Sequence, residues 1–343
     1  MQMNRKEFVR NIALSAIGTR YIPEWLTHNE VVLGHGKKRY RINTKWSQAD
    51  VAKNPVNDCH EMVQDSKGRI LLLTNETRNN VIIYDKNGNF LQSWGTTYPG
   101  AHGLTLFNEN GTDVLFICDN NRHQVIKTTI DGRVLMELSY PKETGQYMKA
   151  DEYVPTETAI APNGDIFVAD GYGKDFVIQY DYKGNYIRHF GGRGDQNKHL
   201  LNAHGICIDN RNGEPVLMVT SRQQNAFKRY AMDGTYLSTV ELPGAWVCRP
   251  AIHGQYLYAA VLQSNSRQSQ KSGFVTILDQ HNKVISNLAG STPEYKDGQL
   301  QEMYQTIKAF DYPHDVCIDD EENLYVAQWN SGKVYPYKLE PIA

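Results

Sequence analysis

Three short stretches of the chain repeat one pattern around a histidine. In each, a small residue or proline precedes the histidine, Gly or Asp follows it, and an alternating apolar run comes next. The stretches are Ala101-His102-Gly103-Leu104, Ala203-His204-Gly205-Ile206 and Pro313-His314-Asp315-Val316, with a fourth copy at Cys59-His60-Glu61-Met62. Neutral imidazole is the commonest protein ligand for metal ions, so these histidines could hold one if the fold brings them together.

The histidines recur because the chain itself is repetitive. Aligned on this position, the sequence divides into six units. The units begin at His60, His102, Thr156, His204, Cys248 and His314. Each alternates apolar and polar residues in short runs, separated by turn signals such as Asn163-Gly164 and Asp131-Gly132, which predicts antiparallel strands. A four-stranded unit of about 40 residues is typical of a propeller blade. The sequence therefore predicts an all-β fold, a six-bladed β-propeller.

In a propeller, the innermost strand of each blade lines a central channel, so residues at one repeat position form a ring. Units two, four and six alternate around that ring. We therefore expect His102, His204 and His314 to converge on Zn²⁺ or another divalent transition metal with an open coordination position. His60 lies in the same ring and could join the metal or act as a catalytic base. A polar channel without a metal is the alternative, because repeat proteins also reuse equivalent positions for packing.

We place the propeller at residues 37–343 and treat 1–36 as an N-terminal extension. Residues 3–20 have a basic start and a weakly apolar middle, which resembles either a twin-arginine export signal or a short amphipathic helix. An exported, periplasmic location and a cytoplasmic one both stay open. The segment 37–48 has strand character and could complete the sixth blade, for which the C-terminal unit supplies three clear strands.

Composition narrows the classes of partner. The 36 Lys and Arg residues nearly balance the 38 Asp and Glu residues, so no electrostatic footprint for nucleic acid is visible. No apolar run approaches the length of a membrane span. The five cysteines form no CxxC pair, and Cys207 and Cys317 lie inside strand patterns, which predicts buried free thiols at these two positions. We expect a monomer that acts on a small-molecule or peptide substrate.

Several segments, in chain order, resemble the NHL-repeat, six-bladed peptidyl-α-hydroxyglycine α-amidating lyase family over about residues 57–340. These segments are AHGLTLF, ICDNNRHQVIK, VPTETAI, VADGYGKDFVIQYDYKGNYIRHFG, NAHGICID, MVTSRQQNAFKRY and YPHDVCIDD. Any NHL propeller would supply the glycines and strands. The histidines, Tyr172 and Arg222 are the residues that point to this family.

The resemblance implies a lyase that breaks a C–N or C–O bond beside a hydroxyl group at the three-histidine metal site. It implies Tyr172 as the general base for the substrate hydroxyl, and Arg222 as a contact for a substrate carboxylate or a support for Tyr172. It also implies a structural Ca²⁺ held by the Asp315 carboxylate and by the backbone carbonyls of Leu104 and Met62.

The chain departs from the family pattern in blade one. There the expected arginine falls on Asn75, and Arg78 follows three residues later. Two other functions therefore stay open. One is a metal-dependent lyase or hydrolase for a sugar or another polyhydroxylated molecule, with His60 and Tyr172 as the acid and base. The other is a propeller that serves as a binding module and is not an enzyme.

Overall fold

The strands lie where the repeat units predict them. The computed structural model describes residues 31–264 and 270–342; the predicted signal or helix at 3–20 lies outside these ranges. The first strands are β1 (Val32–His35) and β2 (Lys38–Asn43). Blades one and two contain β3 (Cys59–Gln64), β4 (Ile70–Thr74), β5 (Val81–Tyr84), β6 (Phe90–Trp94), β7 (Ala101–Glu109), β8 (Thr112–Asp119), β9 (Gln124–Thr129) and β10 (Val134–Leu138).

The later blades follow the same plan. Blades three and four contain β11 (Glu157–Ile160), β12 (Ile166–Ala169), β13 (Phe176–Tyr180), β14 (Tyr186–Gly191), β15 (Ile206–Asp209), β16 (Val216–Ser221), β17 (Ala226–Ala231) and β18 (Tyr236–Glu241). Blade five contains β19 (Ala245–His253), β20 (Tyr256–Ser264), β21 (Phe274–Leu278) and β22 (Val284–Leu288), and the hairpin β23 (Tyr295–Lys296) and β24 (Gln299–Leu300) follows it. Blade six begins with β25 (Pro313–Ile318), β26 (Leu324–Gln328) and β27 (Tyr337–Pro341). Short 3₁₀ helices lie at Lys142–Thr144, Ala150–Glu152 and Arg222–Gln224.

Each of the first five blades is a four-stranded antiparallel meander in which sequential strands pair. The first strand of each unit lies nearest the axis, where it contacts the first strand of the next unit. This arrangement confirms the predicted six-bladed β-propeller, including the divergent fifth unit. It also brings the ring positions of all units to one channel.

The sixth sheet closes the ring by joining the two ends of the chain. Its strand order is β1-β2-β27-β26-β25, and β2 pairs with β27 from Tyr40 opposite Pro341 to Asn43 opposite Lys338. Segment 37–48 thus supplies an outer strand, as predicted. The sheet also includes β1, so the propeller starts at Val32, inside the predicted extension. Backbone hydrogen bonds between β2 and β27 thus join the two ends of the described chain within one blade.

The hydrophobic core lies between adjacent blades. Both faces of a blade pack on neighbours, so the middle strands are continuous apolar runs, and Ile70–Thr74 is buried throughout. Between blades six and one, the ring of Trp46 lies 5.0 Å from that of Tyr84 and 4.8 Å from that of Tyr325. All five cysteines are free thiols; Cys317 is buried, as predicted, whereas Cys207 is half-buried. The described residues contain no helix of sufficient length and apolarity to cross a membrane.

The closure strand provides a test of the fold. Tyr40 on β2 is 1% exposed, whereas the neighbouring Arg39 faces solvent. We expect Tyr40→Ala to lower the free energy of unfolding by about 3–5 kcal/mol, since it leaves a large cavity beside the seam. Arg39→Ala is the matched control and should change it by less than about 0.5 kcal/mol. Denaturant unfolding, followed by circular dichroism, measures the free energy of unfolding of both variants. Equal effects of the two substitutions would contradict the role of β2 in closing the propeller.

Candidate metal centre

The ring histidines of three blades lie where the inner strand breaks its pairing register. In β3, His60 has no partner in β4, because the register shifts between Cys59 and Glu61. His102 in β7 and His314 in β25 lie at the same kind of irregularity. A β-bulge leaves one residue unpaired and re-aims its side chain, and bulges are common beside functional sites. Here the bulges bring the imidazoles together in the channel.

Four imidazole rings form the cluster. The ring centroid of His102 lies 4.9 Å from that of His60, 4.8 Å from that of His204 and 4.9 Å from that of His314. His314 lies 4.9 Å from His60 and 4.8 Å from His204. The rings therefore make two triangles that share the His102–His314 edge. Metal–nitrogen bonds of about 2.0–2.1 Å in tetrahedral directions place ring centroids roughly 5 Å apart, so either triangle fits one ion.

Backbone contacts orient two of the rings. Nδ1 of His102 lies 2.8 Å from the carbonyl oxygen of Thr156, and Nδ1 of His314 lies 3.0 Å from the carbonyl oxygen of His60. Both carbonyls belong to the ring position of the next blade. A metal-bound histidine usually donates its other ring N–H to a carbonyl or carboxylate of this kind, which leaves Nε2 free to bind the metal.

Burial keeps the cluster uncharged. Desolvation lowers the pKa of His60 to about 3 and lowers the pKa of His102, His204 and His314 well below the ordinary value. Neutral imidazole is the form that binds metal. His60, His102 and His314 each offer a ligand atom within 4.8 Å of the other two. Nδ1 of His60 and Nδ1 of His204 are buried without a hydrogen-bond partner among the described residues. This donor set fits a divalent transition metal.

Tyr172 joins the cluster from the loop between β12 and β13. Its hydroxyl oxygen lies 3.1 Å from Nε2 of His102 and 3.1 Å from Nε2 of His204, so these two nitrogens converge on one point. The residue is 42% exposed, but its hydroxyl end lies among buried side chains. Burial raises the pKa of the Tyr172 phenol, while the charge of Arg222 and a hydrogen bond from it act in the opposite direction.

Close packing fixes the loop that carries Tyr172. A Cβ on Gly171 would lie 2.2 Å from the carbonyl oxygen of Ala203, and a Cβ on Gly173 would lie 2.2 Å from the Asp170 carboxylate. Asp170 accepts backbone hydrogen bonds from Lys174 in the loop and from Val154 before β11, and a 2.6 Å hydrogen bond from a tyrosine hydroxyl. Gly171 therefore allows the loop backbone to approach blade four, and Gly173 leaves room for the Asp170 carboxylate.

Arg222 lies behind Tyr172, at the start of a 3₁₀ helix. Its Nε donates a 3.3 Å hydrogen bond to the carbonyl oxygen of Val247, and its Nη2 lies 3.1 Å from Sγ of Cys248. The residue is 5% exposed. Arg222 also hydrogen-bonds the Tyr172 phenol. Of the two roles that the resemblance implies for Arg222, this contact and its burial favour support of Tyr172 over contact with a substrate carboxylate.

A cleft of about 420 Å³ opens onto the histidines. Its lining mixes polar and apolar residues, and no lysine or arginine is among the described residues that form it. The lining residues are His60, Asn75, Pro99, Gly100, Ala101, His102, Asn120, Asn121, Tyr172 and Trp329. Arg78, three residues after Asn75, lies outside this lining; it is exposed, and its guanidinium binds the Glu76 carboxylate at 3.0 and 3.2 Å.

The residue that follows each ring position forms a second, charged layer in the channel. This layer consists of Glu61, Gly103, Glu157, Gly205, Arg249 and Asp315. Glu157 and Arg249 were not predicted from the sequence, although each directly follows a ring position, as Glu61 and Asp315 do. Burial raises the pKa of Glu61 and of Glu157, and the two carboxyls lie against each other.

The donors predicted for calcium are Asp315 in this layer and the carbonyls of Met62 and Leu104, which directly follow layer residues; they do not fit that ion. The Asp315 carboxylate and the Met62 carbonyl oxygen both accept hydrogen bonds from Arg249. The backbone N–H of Leu104 donates a 2.6 Å hydrogen bond to Glu61. A guanidinium therefore already contacts two of the three predicted donors.

Comparisons with known proteins agree with the fold. A family model described as a 6-bladed beta-propeller matches residues 159–338. The chain is 29% identical over 326 residues to peptidyl-alpha-hydroxyglycine alpha-amidating lyase 1 of Drosophila melanogaster, covering 89% of this chain and 55% of that protein. It is 36% identical over 100 residues to a probable peptidyl-alpha-hydroxyglycine alpha-amidating lyase of Caenorhabditis elegans, covering 28% of this chain and 27% of that protein. This chain thus spans about a quarter to a half of the length of these relatives.

A solved structure shares the architecture at low sequence identity. The gluconolactonase from Xanthomonas campestris superposes with a TM-score of 0.60 at 12% identity, covering 91% of this chain and 95% of that one. At this identity the similarity concerns the fold alone.

Proposed function

The chain belongs to the DUF5128 family of six-bladed β-propellers, and on this premise we propose that it is a metal-dependent lyase of the peptidyl-α-hydroxyglycine amidating type. The reaction breaks the C–N bond beside a hydroxyl group and yields a peptide amide and glyoxylate. One observation carries the proposal. The Tyr172 hydroxyl lies 3.1 Å from Nε2 of both His102 and His204, within a cluster of buried, neutral imidazoles. The relatives that are named amidating lyases support it.

His102, His204 and His314 would hold the metal, which supplies Lewis acidity to a substrate oxygen when bound. The chain supplies the proton chemistry. Tyr172 Oη takes the hydroxyl proton of the substrate as the C–N bond breaks. The amide nitrogen gains one proton, so the reaction neither consumes nor releases protons overall. Burial raises the pKa of the Tyr172 phenol, and the positive charge of Arg222 behind the ring offsets part of that rise, in the direction of the phenolate form that this step needs.

The lining of the cleft favours a second candidate function. Asn120 and Asn121 present amide groups, and Trp329 presents an aromatic ring. Amides can pair with hydroxyl groups in either direction, and aromatic faces pack on apolar faces of small molecules. These groups suit a neutral, polyhydroxylated substrate such as a sugar or its lactone, on which the same metal and Tyr172 would act.

An assay with both substrate classes separates these functions. The purified chain, loaded with Zn²⁺, would be incubated with an N-blocked peptidyl-α-hydroxyglycine, and glyoxylate would be measured; sugar lactones would be tested in parallel by proton release. We expect glyoxylate above the uncatalysed rate. Lactone hydrolysis without glyoxylate would replace the first proposal by the second. A metal-loaded protein that turns over neither class would instead be a binding module.

A further inference from the structure

Three buried carboxylates surround the channel axis just beyond the histidines. The side chains of Glu61, Glu157 and Asp315 are at most 1% exposed. Burying ionised carboxylates without a compensating cation is strongly unfavourable. Burial raises the pKa of Glu61 and Glu157, whose carboxyls hydrogen-bond each other and can share a proton, so the need for positive charge at this depth is greatest at the Asp315 carboxylate.

Arg249 supplies a cation at this point. Its Nε and Nη2 donate to the two carboxylate oxygens of Asp315 at 3.0 and 2.8 Å, and Nη2 also donates to the carbonyl oxygen of Met62 at 3.1 Å. Its Nε lies 3.8 Å from carboxylate oxygens of Glu61 and Glu157. A bidentate guanidinium–carboxylate pair is among the strongest charged contacts in proteins. One side chain from blade five thus contacts blades one, three and six.

The backbone around Arg249 is shaped to hold it near the axis. A Cβ on Gly205, the equivalent position of blade four, would lie 2.5 Å from the Cα of Arg249. The glycine therefore allows the Arg249 backbone to approach blade four closely. Asp315, the partner of the guanidinium, also accepts a 2.9 Å hydrogen bond from the backbone N–H of Met62. This network fixes the strand positions that follow His60 and His314.

A calcium ion needs six to eight oxygen ligands at about 2.3–2.6 Å. The oxygens that could provide them here face a guanidinium at hydrogen-bonding distance, and two cations on one carboxylate would repel each other. We propose that Arg249 takes the place of a structural divalent cation, so that closure of the channel does not depend on calcium. This inference concerns the scaffold and holds whatever reaction the histidine site performs.

Calcium titration of the wild-type chain tests the proposal directly. Calcium-free protein would be titrated with CaCl₂ by calorimetry, and its melting temperature would be followed by circular dichroism. We expect no saturable heat and no shift in melting temperature. Binding of one calcium ion per chain, with a rise in melting temperature, would overturn the proposal. Because this titration uses only the wild-type chain, it tests the proposal whether or not a substituted chain folds.

Substitution of the arginine should create a calcium requirement. In Arg249→Ser the carboxylates lose their cation, and we expect the melting temperature to fall by about 5–10 °C. Added CaCl₂ should restore it saturably, because Arg249 also lines a cleft of about 280 Å³ through which an ion can enter. Arg39→Ser, at an exposed arginine, is the matched control and should show neither effect. An Arg249→Ser protein as stable as wild type, or one that calcium does not stabilise, would contradict the inference.

Discussion

The purified wild-type chain is expected to carry about one equivalent of a divalent transition metal, and the triple variant His102→Ala, His204→Ala, His314→Ala is expected to carry none. Loss of an outer-shell partner alone costs roughly 10–100-fold in metal affinity, so loss of ligands should cost more. Elemental analysis after dialysis measures metal content. His281→Ala, at an exposed histidine, is the control and should retain the metal.

Single variants decide which triangle of imidazoles holds the ion. Nε2 of His102 and Nε2 of His204 converge on the Tyr172 hydroxyl, so we expect His204→Ala to lose the metal and His60→Ala to keep it. The opposite result would assign the site to His60, His102 and His314, whose ligand atoms also lie within 4.8 Å of one another. Retention of metal by a folded triple variant would exclude the histidine cluster as its site.

Tyr172→Phe should reduce kcat/KM by roughly 10²–10⁴-fold, the usual contribution of a general base or acid. The phenyl ring keeps the packing of the loop, and Gly171 and Gly173 keep its backbone path, so metal content and melting temperature should not change. Tyr182→Phe removes a hydroxyl from a tyrosine that is 54% exposed and should leave kcat/KM at the wild-type value.

The comparison of the two tyrosine variants distinguishes chemistry from structure. If Tyr172→Phe loses metal together with activity, the hydroxyl acts by holding the histidine cluster together. If it retains full activity towards the substrate that the wild type accepts, Tyr172 is not the base. Only loss of turnover with metal retained supports the proton-transfer role assigned to Tyr172 Oη.

The sequence alone determined the architecture and the convergence of the histidines. A propeller relates its blades by rotation about one axis, so residues at the same position of each unit must meet at the same depth of the channel. The spacing of His102, His204 and His314 in alternate units was therefore enough to predict that their rings lie together. The strand character of segment 37–48 likewise predicted closure of the ring.

Only the tertiary structure decided which charges meet in the channel. From the sequence, Arg78 could replace the missing arginine at Asn75, but in the structure its guanidinium binds the Glu76 carboxylate. Arg249 could have been an exposed arginine, but it binds Asp315, 66 residues further along the chain. Side-chain direction at a bulge depends on local register shifts, and the partner of a buried charge depends on strands distant in sequence. The repeat therefore fixes the depth of each residue in the channel, whereas its contacts follow from packing between blades.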